Sequence, residues 1–444
     1  MFAMTNNNKT SFSLEVQIVV SMCIGYGMLM LCRTVMGVAG PAMILDPDLQ
    51  LDTASFGAIL GWGTAGNLVG KLTNGVVADR LGGSKVFISS IGFAAVTTFA
   101  LGTLSTNTAF FAFYFLTVFA KSAGWPSMAN IIRTWFTQTK HGRVWGFIAT
   151  SSRISSVATT LLLSSLLLVM SWRGLFFIAG VIAIIIAVTL PRFLKSVRND
   201  FSETDSGSDE TTSTPTTWSK AHPLDESETL AAIIFFVKSS RFWLISLGVS
   251  SLAVLFEFQV FIPIYLSQTF ALLPAHAGMA SSAFPMGCLI AVFFGGFVYD
   301  KLSKKNIVIV MGGTLVIAIM CLLSLRFLGA NDFGNQFELI LTIGLIFIFG
   351  FAISPAYYIP MSVFSISFGG RHCGLLVGLI DALAYFGAMI FDFIGGAVAN
   401  KEGGWQDFLL ILMVTSVLAT MIMTTFLYLD YRDSKISQPD YSTT

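Results

Sequence analysis

Apolar runs of span length follow one another along the chain, with short polar breaks between them. They lie near 16–44, 55–78, 85–104, 109–136, 143–170 and 172–191, and then near 242–267, 276–299, 306–328, 337–363, 373–399 and 405–429. About 20 apolar residues suffice for a helix to cross the bilayer core, so the pattern predicts an all-α membrane protein of twelve transmembrane helices. The first run is too long for a signal-peptide core and lacks a cleavage site, so it is expected to remain as the first helix. Between the sixth and seventh runs lies a polar interval that includes the Ser/Thr/acid-rich stretch Asn199–Thr217. Such sequence cannot bury enough apolar surface to order itself. The expected layout is therefore a six-helix bundle over 14–198, a flexible linker over 199–238 and a second six-helix bundle over 239–432.

Composition agrees with this picture. The 444 residues are 55% hydrophobic and 11% charged, against roughly a quarter charged in a soluble domain. A formal net charge of +1 gives no pull toward nucleic acid. The five cysteines lie in or beside apolar runs without metal-ligand spacing, so packing roles are expected and no cofactor is. Charge placement also sets an orientation. Arg80, Lys85, Lys140, Arg143, Lys301, Lys304, Lys305 and Arg371 fall in breaks on the side of both termini and the central interval. The opposite breaks hold only Arg173, Arg326 and Lys401 as cations, and one carries Asp46, Asp48 and Asp52. The positive-inside rule then places both termini and the linker in the cytoplasm, with the protein spanning the plasma (inner) membrane.

The two halves echo each other. Gly75-Val-Val-Ala-Asp79-Arg80 follows the second helix, and Gly296-Phe-Val-Tyr-Asp300-Lys301 follows the eighth. Trp172-Arg-Gly-Leu-Phe176 opens the sixth helix, and Trp405-Gln-Asp-Phe408 opens the twelfth. One Gly-x-x-x-Asp-cation run is common by chance, but two at matching points of a duplicated layout are not. Glycine permits close helix approach, and the aspartate can sit at a neighbouring helix N-terminus or pair with a cation. Gly75, Asp79, Arg80, Gly296, Asp300 and Lys301 are therefore candidate gating residues.

On these loops, the six-plus-six layout and the long central interval, the chain resembles the major facilitator superfamily over about 14–432. That resemblance implies two bundles that rock about a central cavity and open it to each side in turn. The first half is further similar to the organophosphate:phosphate antiporter branch. Arg33-Thr-Val-Met-Gly-Val-Ala-Gly-Pro41 carries the branch's Arg and following Pro, and Lys71 stands at the usual distance from Asp79-Arg80. Gly124-Trp-Pro126, Trp135-Phe-Thr-Gln138 and Gly142 match its helix-four pattern. Two positions depart from it. The branch has a second substrate-binding Arg on helix seven, where this chain reads Val254-Leu-Phe-Glu257-Phe258, and a His on helix five near Ser152 and Arg153.

A charged side chain at membrane depth costs at least about 2.5 kcal/mol, which makes such residues functional candidates. The first half buries only cations, Arg33, Lys71, Lys121 and Arg153, and the second only anions, Glu257, Asp381 and Asp392. Arg33 offers a planar fork for a carboxylate or phosphate, while Lys71 and Lys121 act as point charges. Tyr26, Tyr357 and Tyr358 are softer candidates for substrate contact. Glu257, Asp381 and Asp392 are candidates for proton coupling. The last two share a helix face about 16 Å apart, a spacing that suits a proton or cation route. An alternative role for these charges is pairing between the halves, Arg153 with Asp381 above all, and such pairs would form and break as the halves rock.

Catalysis is not expected. All four histidines fall in breaks or at helix ends, there is no His-Glu-x-x-His or Gly-x-Ser-x-Gly, and the phosphate-loop-like run ending at Gly70-Lys71 begins with Ala65 instead of Gly. The expected function is a monomeric secondary transporter of a small organic anion or zwitterion, working by alternating access with protons as a coupling ion. The alternatives are an organophosphate/phosphate exchanger and a proton-driven efflux transporter.

Overall fold

The computed structural model describes residues 4–194, 229–299, 301–328, 335–369 and 372–436. The first half contains α1 (Met4–Ile44), α2 (Thr53–Leu81), α3 (Gly83–Leu101), α4 (Asn107–Ser122), α5 (Gly124–Trp135), α6 (Gln138–Leu166) and α7 (Trp172–Thr189). After the short helix α8 (Thr229–Lys238), the second half contains α9 (Ser240–Phe270), α10 (Pro274–Ser281), α11 (Ala283–Tyr299) and α12 (Lys304–Leu328). It ends with α13 (Asn335–Gly369), α14 (Cys373–Ala399) and α15 (Gly404–Ile436).

Two of the twelve expected spans are broken in the middle, and proline explains both breaks. Pro126 has no N–H for the carbonyl of Ser122, and Pro285 none for that of Ser281. The residues at the breaks keep helical dihedrals, Ala123 at φ −68° and ψ −17° and Ser282 at φ −61° and ψ −16°. So α4–α5 and α10–α11 each continue as one rod, and each half is a set of six rods. Among the described residues, nine helices are long and apolar enough to cross a membrane unaided. The others are α2, α6 and the α4–α5 rod. The α4–α5 rod carries Lys121, Asn130 and Arg133 along its length, and α2 and α6 carry runs of Gly, Ser, Thr and Asn.

The Trp echo is structural. Trp172 at the start of α7 donates from Nε1 to Asp46 Oδ2 at 2.8 Å, just beyond α1. Trp405 at the start of α15 donates from Nε1 to Gln268 Oε1 at 2.9 Å, near the end of α9. In each half the last rod is thus pinned to the first by one indole. Of the 199–238 interval, residues 229–238 form α8, whose Ala232 and Phe236 are buried, with the Phe236 ring 6.0 Å from that of Phe368. Residues 199–228 lie outside the described residues.

The α2 helix holds the two halves together through glycines on two faces. Gly63, Gly66 and Gly70 abut Tyr114, Phe115 and Ser122 of α4 within the first half. Gly57 and Gly61 meet Gly396 and Phe393 of α14 in the second half. A Cβ on Gly396 would lie 2.6 Å from Gly57 Cα, so the two backbones touch. Polar bonds cap this seam. Thr53 N–H donates to Asn400 Oδ1 at 3.1 Å, Asn400 Nδ2 to Asp52 Oδ2 at 2.9 Å, and Gln268 Nε2 to Thr53 Oγ1 at 3.0 Å. Asp52 also N-caps α2 by accepting from Ser55 N–H, and these bonds hold its carboxyl below the usual aspartate value.

Toward the other end the seam parts. A Cβ on Gly75 of α2, or on Gly374 or Gly378 of α14, would meet nothing within 4 Å. The halves are therefore closed at the 45–52 end and separated toward the end that carries both termini. This corrects the expectation of close helix approach at Gly75: in this conformation the tight glycine contact lies at Gly57 and Gly396.

Candidate functional site

Between the halves lies a cavity of about 110 Å³ lined by α1, α6, α9, the α10–α11 rod, α13 and α14. Its charged side chains are Arg33, Arg153 and Glu257, and Tyr357, Tyr358, Tyr385 and Gln259 add polar groups. Arg33 Nη2 lies 3.5 Å from Glu257 Oε1, an ion pair that joins α1 of one half to α9 of the other. Arg153 stacks over Tyr358, with its guanidinium carbon 4.2 Å from the ring centroid. Gln259 Nε2 donates to Ser156 Oγ at 3.3 Å, again across the halves. The prolines of α13, Pro355 and Pro360, flank the tyrosine pair, and Phe256 packs 4.8 Å from Tyr357.

Five of the expected substrate and coupling residues thus come together here: Arg33, Arg153, Glu257, Tyr357 and Tyr358. The remaining five do not line the cavity. Lys71 Nζ sits 2.7 Å from Asp381 Oδ2 and ties α2 to α14 where the seam begins to part. This corrects the expected pairing of Arg153 with Asp381. The α2 contact with α14 gives that carboxylate to Lys71, and α6 turns Arg153 toward α13. Asp392 is fully buried and accepts from Thr64 Oγ1 at 2.6 Å. Lys121 is buried at the last turn of α4, and its side chain has no hydrogen bond or ion pair among the described residues. Tyr26 is buried against Trp125, 5.3 Å away between centroids.

Tyr385 was not anticipated from the sequence. It lines the cavity and lies 5.7 Å from Lys71 Nζ, linking the cavity wall to the Lys71–Asp381 pair. Its signal was the four-residue spacing from Asp381, which puts both on one helix face.

Of the first gating loop, Asp79 accepts from Asn130 Nδ2 of α5 at 3.2 Å, and Asn130 Oδ1 accepts from Gly83 N–H of α3 at 3.1 Å. Gly82 makes the turn between α2 and α3 at φ +89°, a conformation that favours glycine. Asp79, in the last turn of α2, is thus linked to the start of α3 through the Asn130 amide, while Arg80 is exposed. In the second loop Gly296 belongs to α11 and Lys301 is exposed, and Asp300 lies outside the described residues.

The family model for the Major Facilitator Superfamily matches residues 22–365 and 258–440. The chain belongs to that superfamily. A solved structure similar to this facilitator is that of a bacterial homologue of the human lysosomal transporter Spinster, in an inward-facing, unoccupied conformation. The TM-score is 0.74 at 16% identity, over 97% of this chain and 99% of that one. Among curated proteins, a probable hexose phosphate transport protein of Chlamydia trachomatis is 24% identical over 426 residues, 92% of this chain and 90% of its own. A putative glycerol-3-phosphate transporter of Arabidopsis thaliana is 23% identical over 383 residues, 79% of this chain and 70% of its own. These relatives bear out the resemblance to the organophosphate:phosphate antiporter branch. They are transporters, and this facilitator is a membrane transporter too, not an enzyme.

Proposed function

We propose that the protein is a secondary transporter of a small organic anion, with phosphate monoesters as the leading class, that works by alternating access and is coupled to protons. The observation that carries this reading is the Arg33–Glu257 ion pair across the halves inside the cavity. Arg33 stands where the exchanger branch has its first substrate Arg. The stretch 254–258, where the branch has its second Arg, carries Glu257 and no Arg here, and a second guanidinium comes instead from Arg153 on α6. Both cationic contacts thus belong to one half and the carboxylate to the other. An incoming anion competes with Glu257 for Arg33, and a fork that binds two anionic oxygens side by side favours the substrate. Glu257 is then left buried without its partner, which is unfavourable unless it takes up a proton. The proton and the anion would in that way move together.

The test is uptake of labelled glucose 6-phosphate into proteoliposomes, with and without an imposed pH gradient. Glu257→Gln mimics the protonated carboxyl, so it should keep exchange of labelled for unlabelled substrate and lose accumulation driven by the gradient. Accumulation equal to the parent's would remove Glu257 from the coupling.

Further parts of the reading rest on charge and geometry. The asymmetry of Lys and Arg supports cytoplasmic termini with the 45–54 segment outside; the plasma (inner) membrane is the membrane proposed, and a monomer suffices for the mechanism. Asp79 and its motif would act on the conformational cycle without touching the substrate. Asp79→Asn removes the charge that holds the Asn130 amide between α2, α5 and the first residue of α3. It should slow initial uptake a few-fold and leave equilibrium binding of glucose 6-phosphate unchanged. A loss of affinity at normal turnover would contradict that assignment.

A further inference from the structure

Asp392 is the most deeply buried acid of the seam, at 0% exposure. Its Oδ2 accepts from Thr64 across the halves, and its Oδ1 has no hydrogen-bond donor among the described residues. Its backbone carbonyl lies 2.8 Å from where a Gly57 Cβ would be, so the two helices leave no room around it for a hydration shell. One turn from Thr64, Asn67 is 1% exposed, and its Oδ1 also lacks a donor. Asn67 and Thr64 line a small cavity of about 10 Å³ shared with Arg33, Tyr114 and Glu257. That is close to the least volume a single water needs.

No cation pairs with Asp392 among the described residues. Within its electrostatic reach are Arg33 on α1 and Glu257 on α9, with Tyr114 of α4 nearby. Arg33 is already paired with Glu257, the buried Lys121 of α4 acts on Arg33, Glu257 and Asp381, α15 contributes Phe408 beside Phe391, and Asp381 lower on α14 is matched by Lys71. An ionised Asp392 would be a carboxylate with no ion-pair partner in a dry interface, with acceptors outnumbering donors. A buried carboxyl in that position is retained only if it is neutralised.

We propose that Asp392 is a proton-binding site that controls closure at the 45–52 end, and that the α2–α14 seam zips only when this carboxyl is protonated. This deepens the proton-coupled reading by adding a second site, separate from Glu257. Raising the pH removes the proton, the carboxylate then demands water, and the 45–52 end opens. Lowering the pH closes it.

The experiment needs no substrate, so its outcome is independent of whether glucose 6-phosphate is transported. Spin labels at Leu45 and Lys401, exposed on opposite halves at this end, are placed on the full chain in nanodiscs. Their distance distribution is recorded across pH in sodium and in choline buffers. The parent should shift from short to long distances as pH rises, equally in both buffers. Asp392→Asn should lose the shift and stay short, and Asp392→Glu should restore a pH response with a moved midpoint. Thr64→Val, which removes the donor to the Asp392 carboxyl among the described residues, should also move the midpoint. A parent-like pH response in Asp392→Asn would overturn the proposal. A distance change that follows sodium at constant pH would overturn it as well, in favour of a sodium site.

Discussion

Replacing Arg33 by lysine should weaken glucose 6-phosphate transport at least about tenfold through a higher half-saturation concentration, with the protein still present in the membrane. Lysine keeps the positive charge that draws Glu257, whose Oε1 lies 3.5 Å from Arg33 Nη2. The link between the halves therefore survives. What is lost is the pair of parallel N–H groups that a phosphate or carboxylate engages together. Hydrogen bonds to charged groups contribute about 1.5–3 kcal/mol each, so the loss of one should cost roughly ten- to a hundredfold in affinity. Uptake measured against substrate concentration separates this from a defect in turnover. A half-saturation concentration equal to the parent's would show that Arg33 serves the ion pair alone and that the anion binds elsewhere.

The span pattern could be read from the chain because lipid imposes one rule on every helix, and runs of about 20 apolar residues express it directly. The boundaries of α12 and α14 fall within a few residues of the runs near 306–328 and 373–399. The indoles of Trp172 and Trp405 show that the repeat seen in sequence is a repeat in structure. Partner choice among the buried charges was a different problem. Which cation meets Asp381 depends on the rotation of α2 against α14, and the glycines that let these helices touch, Gly57, Gly61 and Gly396, fix that rotation. In sequence those glycines look no different from Gly75 or Gly378, which touch nothing here. Tyr385 escaped notice for a related reason. A tyrosine at membrane depth carries no penalty that marks it out, whereas a buried charge does.

The contact between Gly57 and Gly396 leads to the other large effect. Gly396→Val places a branched Cβ 2.6 Å from Gly57 Cα and 3.0 Å from the Thr53 carbonyl oxygen. Both obstacles are backbone, so no side chain can rotate away, and the helices must separate. Overpacking a tight contact costs about 1–3 kcal/mol, which corresponds to a roughly 5- to 150-fold shift between two conformations. Here the penalty falls only on the conformation closed at the 45–52 end, so the population should move toward the one open there. Leu60, on α2 one turn from Gly57, is buried at present. A cysteine at Leu60 should resist an impermeant maleimide in the parent and react from the 45–52 side in Gly396→Val. Transport should fall because one half of the cycle has become unfavourable, while glucose 6-phosphate binding from the open side persists. Gly313→Ala is the control, since a Cβ there meets nothing within 4 Å, and it should leave labelling and transport unchanged. If Gly396→Val shows parent-like protection at Leu60 together with parent-like transport, the α2–α14 seam is not the gate. The rocking of the halves must then be hinged elsewhere, with the contacts of α1 against α9 at Gly37 and Val260 the next place to look.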